Sequence, residues 1–375
     1  MKKNILKSNA VQSFIASLIC IILGLFIGYL VLLIINPSGA ADSIIALIKN
    51  FMDYSRKALR VKNFGSTLVK TVPLLMCALS ILFSYKVGLF NIGCSGQYMA
   101  GCCAALYAAL KWGWGWFPCL LFALVAGAIM GALVGVLKAY LNVNEVISGI
   151  MLNWIMLYLA NTILSFVKDK SSPYTVALSI GAPQAILPTL GLNKIFNNEY
   201  VSIAIPLSII IAILIMIVLN KTKFGYELRA TGFNKNAAKY CGMKENRNVV
   251  LSLLISGALA GLGAGLLYLT GIEDWECTRS SVAPMGFNGI SATFLGGLNP
   301  IGTIFASFFI EHITLGGANV DLTKYCSQIS DLISSIIIYL CAFVLFFKLK
   351  MNDIIKHMEE KKALKAKEKL EGGNN

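Results

Sequence analysis

The chain has 375 residues, of which 57% are hydrophobic and 13% charged, about half the charged fraction of a soluble globular domain. That balance excludes a soluble fold and marks an integral membrane protein. The net charge of +14 would suggest nucleic acid in a soluble chain, but here the basic residues cluster in loops and the tail, so the charge reports membrane topology and no nucleic-acid partner. Ten cysteines lie mostly in apolar segments without C-x-x-C pairs, beside only two histidines. They read as small buried hydrophobes, with no metal site and no cofactor expected.

Lys2, Lys3 and Lys7 precede an apolar run over residues 13–36. The run is too long for a secretory signal and lacks a small-residue cleavage site, so it is a retained first span with its N-terminus inside. Residues 37–65 mix five basic residues with Ile44, Ile45, Leu47, Ile48, Phe51 and Met52, the pattern of an amphipathic helix at the outer interface. A second span covers about residues 67–87 and a third about 89–110. Between them stands GLFNIGCSGQ, residues 88–97, whose glycines loosen any helix. Non-helical backbone at membrane depth is tolerated where it lines a cavity or is buried in protein. Two readings stand: a pathway segment carrying Asn91, Ser95 and Gln97, or a tight turn at the cytoplasmic face.

A patch of Trp112, Trp114 and Trp116 leads into a fourth span over about residues 117–140. Its Gly127, Gly131 and Gly135 recur every fourth residue and share one helix face for close packing. Lys138 marks the inner end. Glu145 begins the fifth span, which runs to about Val167, and complements its N-terminal dipole. Asn153 inside this span either cross-links helices or contacts solute. Residues 168–199 form a polar outer loop with three prolines, expected to be ordered only in part, and residues 200–220 form the sixth span.

Residues 221–247 hold seven Lys or Arg and two acids, which places them on the cytoplasmic side. Asn234 fits the cap of a short helix carrying Ala237 and Ala238, which Gly242 would end. An apolar face on such a helix calls for a covering partner, whereas the plain alternative is a solvated connector. The seventh span, about residues 249–272, repeats the packing stripe with Gly257, Gly261 and Gly265. Glu273, Asp274 and Glu276 then read as solvated outer charges without a partner. Residues 285–302 and 301–316 are both short and interrupted by Gly or Pro, like discontinuous helices that carry transporter substrate sites. GLNPIG at 297–302 echoes GLFNIG at 88–93 and suggests an internal repeat. Glu311 and Asp331 lie in apolar surroundings, and helix pairing or a subunit contact is preferred over a direct solute role. The last span covers about residues 326–347, and the charged tail from Lys348 is cytosolic, near anionic lipid.

Taken together, GLFNIGCSGQ (88–97), NEVISGIMLN (144–153), GYELRATGFNKNAAKYCGM (225–243) and GISATFLGGLNPIG (289–302) resemble permease subunits of bacterial ABC importers. The likeness covers roughly residues 10–350 and is greatest to the nucleoside and simple-sugar branch, with ribose and branched-chain amino acid permeases more distant. The resemblance implies that 225–243 is the coupling segment docking on a cytoplasmic ATPase, through Glu227, Arg229, Gly232, Asn234, Ala237, Ala238, Tyr240 and Gly242. It also implies that the regions of Gly88 and Gly297 line the pathway. Two positions depart from the family's pattern. An acidic residue usually stands where Ser95 is, and a Gly-Arg-Gly-Phe-like sequence often occupies Pro284-Met285-Gly286-Phe287.

The expected architecture is an all-α polytopic membrane protein of about ten transmembrane helices, some broken, with a cytoplasmic coupling helix. Residues 1–350 form one permease domain and 351–375 a cytoplasmic charged tail, with both termini inside a bacterial cell membrane. No phosphate-binding loop of the form G-x-x-x-x-G-K-[ST] occurs, so nucleotide hydrolysis belongs to another chain. The expected partners are a cytoplasmic ATP-binding subunit, a second permease subunit (as a hetero- or homodimer), an extracytoplasmic solute-binding lipoprotein and the lipid bilayer. The uncharged amides Asn91, Gln97, Asn153 and Asn288, with Ser95 and Asn299, suit a neutral, hydroxyl-rich solute such as a nucleoside, since fixed charges would have to be desolvated. Branched-chain amino acids and simple sugars are the alternatives within the family. An ion-coupled secondary transporter would need carboxylates near the midplane, where Glu311 and Asp331 are poorly placed, and an enzyme would need a convergent catalytic constellation.

Overall fold

The computed structural model describes residues 9–354, apart from 322, 327, 328, 342 and 345. The N-terminal lysines, the tail beyond 354 with His357, and the side chain of Asp331 lie outside the described residues. Helices dominate: α1 (Asn9–Ile35), α2 (Ala40–Lys49), α3 (Lys57–Tyr85), α4 (Cys94–Trp112), α5 (Trp116–Leu141), α6 (Glu145–Leu164), α7 (Leu178–Gly181), α8 (Leu192–Phe196), α9 (Ala204–Lys221), α10 (Lys223–Phe233), α11 (Lys235–Tyr240), α12 (Glu245–Tyr268), α13 (Met285–Leu295), α14 (Pro300–Gly316) and α15 (Ile329–Cys341). Among the described residues the only β-structure is a pair of isolated bridges, Lys168 with Thr175 and Tyr174 with Glu276. Six helices are long and apolar enough to cross a membrane, namely α1, α3, α5, α6, α9 and α12. α4 has 19 residues and is almost wholly buried, and α13 and α14 are the two short pieces anticipated around Pro300.

Burial sorts the spans into centre and rim. α3 and α12 are buried along most of their length, while α1, α5, α6 and α9 bury only a third or less of theirs, as expected where the surrounding medium is itself apolar. One apolar cluster is built on α3, α4, α5, α6, α9 and α12. A second joins α1, α2, α13, α14 and α15, and α3 enters it through Leu74 and Ala78. α3 is therefore the shared wall between the two.

The glycine stripes do what their spacing suggested. A Cβ on Gly131 would run into the carbonyl oxygen of Leu253, and one on Gly257 into that of Gly127. α5 and α12 thus cross backbone to backbone, where dispersion contacts are densest. Cys20, Cys77, Cys94, Cys102, Cys103 and Cys119 are buried, whereas Cys241 and Cys326 are exposed.

Three expectations need correction. The second span starts at Lys57, not near residue 67, because Lys57, Arg60 and Lys62 continue the helix outward from the apolar segment instead of breaking it. The loop over 168–199, expected to be ordered only in part, is tied down at several points. Thr175 donates its N–H to the carbonyl of Trp275 at 2.9 Å, Cys277 to Pro173 at 2.9 Å and Leu187 to Leu269 at 2.9 Å. Trp275 is fully buried, and its indole donates to Asn161 Oδ1 at 3.0 Å. Nor are the outer acids all unpaired, since Glu273 lies 3.2 Å from the Lys70 amine on α3. A partner 203 residues away in the chain leaves no local trace in the sequence.

Candidate functional site

At its C-terminus α3 runs into a break. The N–H of Gly88 bonds the carbonyl of Tyr85 at 3.0 Å and that of Leu89 bonds Ser84 at 3.2 Å, with Gly88 at φ +76°. The chain that follows is buried, not solvated, with Asn91, Ser95 and Gln97 all inaccessible. Asn91 Nδ2 donates to Gln97 Oε1 at 2.8 Å and to Ser256 Oγ at 2.7 Å, while Gln97 Nε2 returns a bond to Asn91 Oδ1 at 3.2 Å. Ser256 in turn donates to the Ser80 carbonyl at 2.7 Å, with the two hydroxyls 2.8 Å apart. Neutral amides and hydroxyls satisfied in this way hold α3, the break and α12 together without fixed charge.

Asn153 splints the same break from α6. Its Oδ1 accepts the Gly96 N–H at 2.7 Å and its Nδ2 donates to the Ile92 carbonyl at 3.0 Å. Both halves of one amide thus replace bonds that the broken helix lacks. Room for this exists because Gly149 and Gly93 meet without side chains. Asn288, on α13, is half-buried. Asn299 is exposed, and its Oδ1 caps α14 by accepting the Ile301 N–H at 2.9 Å. The structure therefore gathers Asn91, Ser95, Gln97 and Asn153 around one break and gives Asn299 a separate capping task. Ser80 and Ser256 were missed from the sequence. A lone serine in an apolar span carries no signal beyond its hydroxyl, and Ser256 is masked by the glycine stripe it adjoins.

On the basic side the chain from 221 to 247 forms two helices, not one. Thr222 caps α10 by accepting the Gly225 N–H at 3.0 Å, and Asn234 caps α11 by accepting the Ala237 N–H at 3.0 Å. Gly242 at φ +79° ends α11, with the Met243 N–H bonding Ala238 at 3.0 Å. Gly225 and Gly232 lie within α10, where other backbone crosses closely. Gly225 presses on the carbonyls of Val218 and Leu219, and Gly232 on Lys86 and Val87. Asn248 Nδ2 donates to Thr231 Oγ1 at 2.9 Å and locks α10 onto α12.

The two alanines divide, Ala237 being exposed and Ala238 buried. Ala238 is only 4% exposed, whereas Phe233 is 92% and Tyr240 93% exposed. Glu227 and Arg229 are half-buried. Lys86 stands nearby, its amine held below the usual lysine range by burial and then by the positive charges of Arg229 and Lys348. Lys138 and Glu145 pair at 2.8 Å, so Glu145 serves a neighbouring helix as well as its own N-terminus. Farther along, His312 fastens α14 to the C-terminal end of α2 and the residue after it. Its Nε2 lies 2.8 Å from the Ile48 carbonyl and its Nδ1 3.2 Å from Asn50 Nδ2. Glu311, beside it, is buried.

The chain matches the family described as "Branched-chain amino acid transport system / permease component" over residues 63–342. It is 30% identical to the nucleoside ABC transporter permease protein NupB of Lactococcus lactis subsp. cremoris, over 95% of this chain and 98% of that one. It is 31% identical to the guanosine ABC transporter permease protein NupP of Bacillus subtilis, over 87% and 92% respectively. The glucose ABC transporter permease protein TsgB13 of Haloferax volcanii is 26% identical over 76% of this chain and 78% of its own. No solved structure matches the chain. A family match spanning most of the membrane helices, with relatives aligned almost end to end, establishes that this multi-pass protein belongs to the ABC transporter permeases and is a transport subunit, not an enzyme.

Proposed function

We propose that the chain is one of two permease subunits of an ATP-driven importer that carries nucleosides inward. The observation that carries this reading is the similarity along 98% and 92% of two permeases named for nucleosides and guanosine. In this reading an extracytoplasmic lipoprotein delivers the solute, and a cytoplasmic ATP-binding subunit supplies the work. The absence of charged side chains from the Asn91, Gln97, Ser256 and Asn153 network supports a neutral, hydroxyl-rich solute. The glucose-permease relative favours a simple sugar as the second reading.

Coupling passes through α10 and α11. The exposed Phe233 and Tyr240 are the apolar groups the ATPase would cover, with Glu227, Arg229, Asn234 and Ala237 around them and Ala238 and Gly242 shaping the turn. The contact of Gly232 with the Lys86–Gly88 backbone supports a direct path from that surface to the break, where Asn91, Ser95, Gln97 and Asn153 lie, with Asn288 on α13 and Asn299 at the next turn. The long spans, together with α4, the broken pair α13 and α14, and α15, make ten crossings with both termini cytoplasmic.

The test is uptake by proteoliposomes holding the whole transporter, purified through a tag on this chain so that its partners accompany it. ATP-dependent accumulation of labelled guanosine, competed by other nucleosides and not by leucine, is expected. Competition by glucose alone would transfer the assignment to sugars, and uptake without ATP would overturn the importer reading.

A further inference from the structure

The first turns of α4 and α13 meet deep in the protein. A Cβ placed on Gly286 would collide with Ser95 Oγ and approach Ser95 Cα to 2.8 Å. The two helices diverge from that contact. Cys94 and Gly289 both lie against Cys77 of α3, about 12 Å along the helix from its end at Tyr85. From there α13 descends alongside α3. Thr293 Oγ1 donates to the Ala78 carbonyl at 2.8 Å, and the ring of Phe294 stacks edge-on to Tyr85 at 5.5 Å. α4 rises the opposite way. Two helix N-termini therefore face each other at membrane depth, and their partial positive charges add.

The start of α13 carries no side-chain cap, its cap position being Pro284, whereas the start of α4 is splinted by Asn153, whose Oδ1 takes the Gly96 N–H. Asn144, Thr222, Asn234 and Asn299 show that this chain caps other helices with polar residues. Close packing by itself explains Gly286 but not the second observation. Ser95 Oγ, fully buried and directed at the first turn of α13, has no hydrogen-bond partner among the described residues. A buried hydroxyl without a partner, set against a helix N-terminus that no side chain caps, is a donor awaiting an acceptor.

We propose that this junction of Ser95 with the first turn of α13 is where the passing solute is held, through a hydroxyl or carbonyl oxygen. The inference rests on the importer reading above and adds to it the recognition chemistry: neutral or anionic oxygen is accepted, and a cationic group is repelled. Phe287, exposed on the same turn, and Asn288, half-buried beside it, supply a ring face and an amide for the rest of the solute. Because Gly286 touches Ser95 here, the solute is admitted when the two turns separate.

The test is a cycle between the chain and its solute, in the same proteoliposomes. Wild type and Ser95→Ala are compared for uptake of guanosine, its 2′-, 3′- and 5′-deoxy analogues and adenosine, alongside glucose and its deoxy analogues. Ser95→Ala should lower uptake roughly five- to tenfold for solutes bearing one particular oxygen and leave the analogue lacking it unchanged. Wild type should also discriminate at least tenfold against a 5′-amino-5′-deoxy nucleoside. Equal loss for every solute, or none for any, would overturn the assignment. Which parent compound the wild type takes up decides the nucleoside reading separately.

Discussion

Asn153 shows how one amide can carry a local fold. Replacing it with alanine leaves the Gly96 N–H and the Ile92 carbonyl buried and unpaired, which should cost about 2–4 kcal/mol for the two groups. Chemical denaturation of the solubilised protein would measure it, and a change below about 1 kcal/mol would mean that water reaches the break. The Lys70–Glu273 pair is a contrasting case. Both side chains are about a third exposed, so Glu273→Gln should change stability by less than about 1 kcal/mol. The type and depth of Asn153 were legible in the sequence, and two readings of it stood. Its partners were not, because Gly96 lies 57 residues away and only packing brings the two together.

Between helices the same residue type serves different ends. On Gly131 a Cβ meets the Leu253 carbonyl oxygen, while around Gly242 nothing lies within 4 Å and φ is +79°. Gly131→Ala must push α5 and α12 apart and should cost about 1–3 kcal/mol. Gly242→Ala pays only for a left-handed backbone, about 1 kcal/mol. Thermal unfolding of the two variants would rank them, and the reverse order would refute the packing account. At the basic surface, Phe233→Asp and Tyr240→Asp touch side chains that are over nine-tenths exposed. They should shift stability by less than about 0.5 kcal/mol while abolishing ATP-driven uptake. Ala238→Glu, by contrast, buries a charge and should damage the fold itself. Normal uptake by the double aspartate variant would remove α10 and α11 from the coupling path. α11 was readable because its cap and its terminating glycine are local signals. α10 was hidden because Gly225 and Gly232 are explained by what they press against and not by the turn they resemble.

Seen as a whole, the molecule divides into two apolar clusters that share α3, and the two thiols exposed among the described residues report on orientation. Cys241 lies next to α11 and Cys326 before α15. In intact cells a membrane-impermeant maleimide should modify Cys326 and spare Cys241 until the membrane is opened, as read by peptide mass spectrometry. Labelling of Cys241 from outside would invert the topology and with it the importer reading. Composition and the apolar runs sufficed for the membrane class, the identity of the long spans, the glycine stripes and the motifs that place the chain among ABC permeases, since each is written within a few helical turns of contiguous sequence. Tertiary structure alone decided that α3 begins ten residues early, that the outer loops interlock over Trp275, that the break after α3 is buried, and that α13 opens against Ser95. In the last three the deciding partner is distant along the chain, and the burial that only assembly of the helices creates determines which polar groups must find one another.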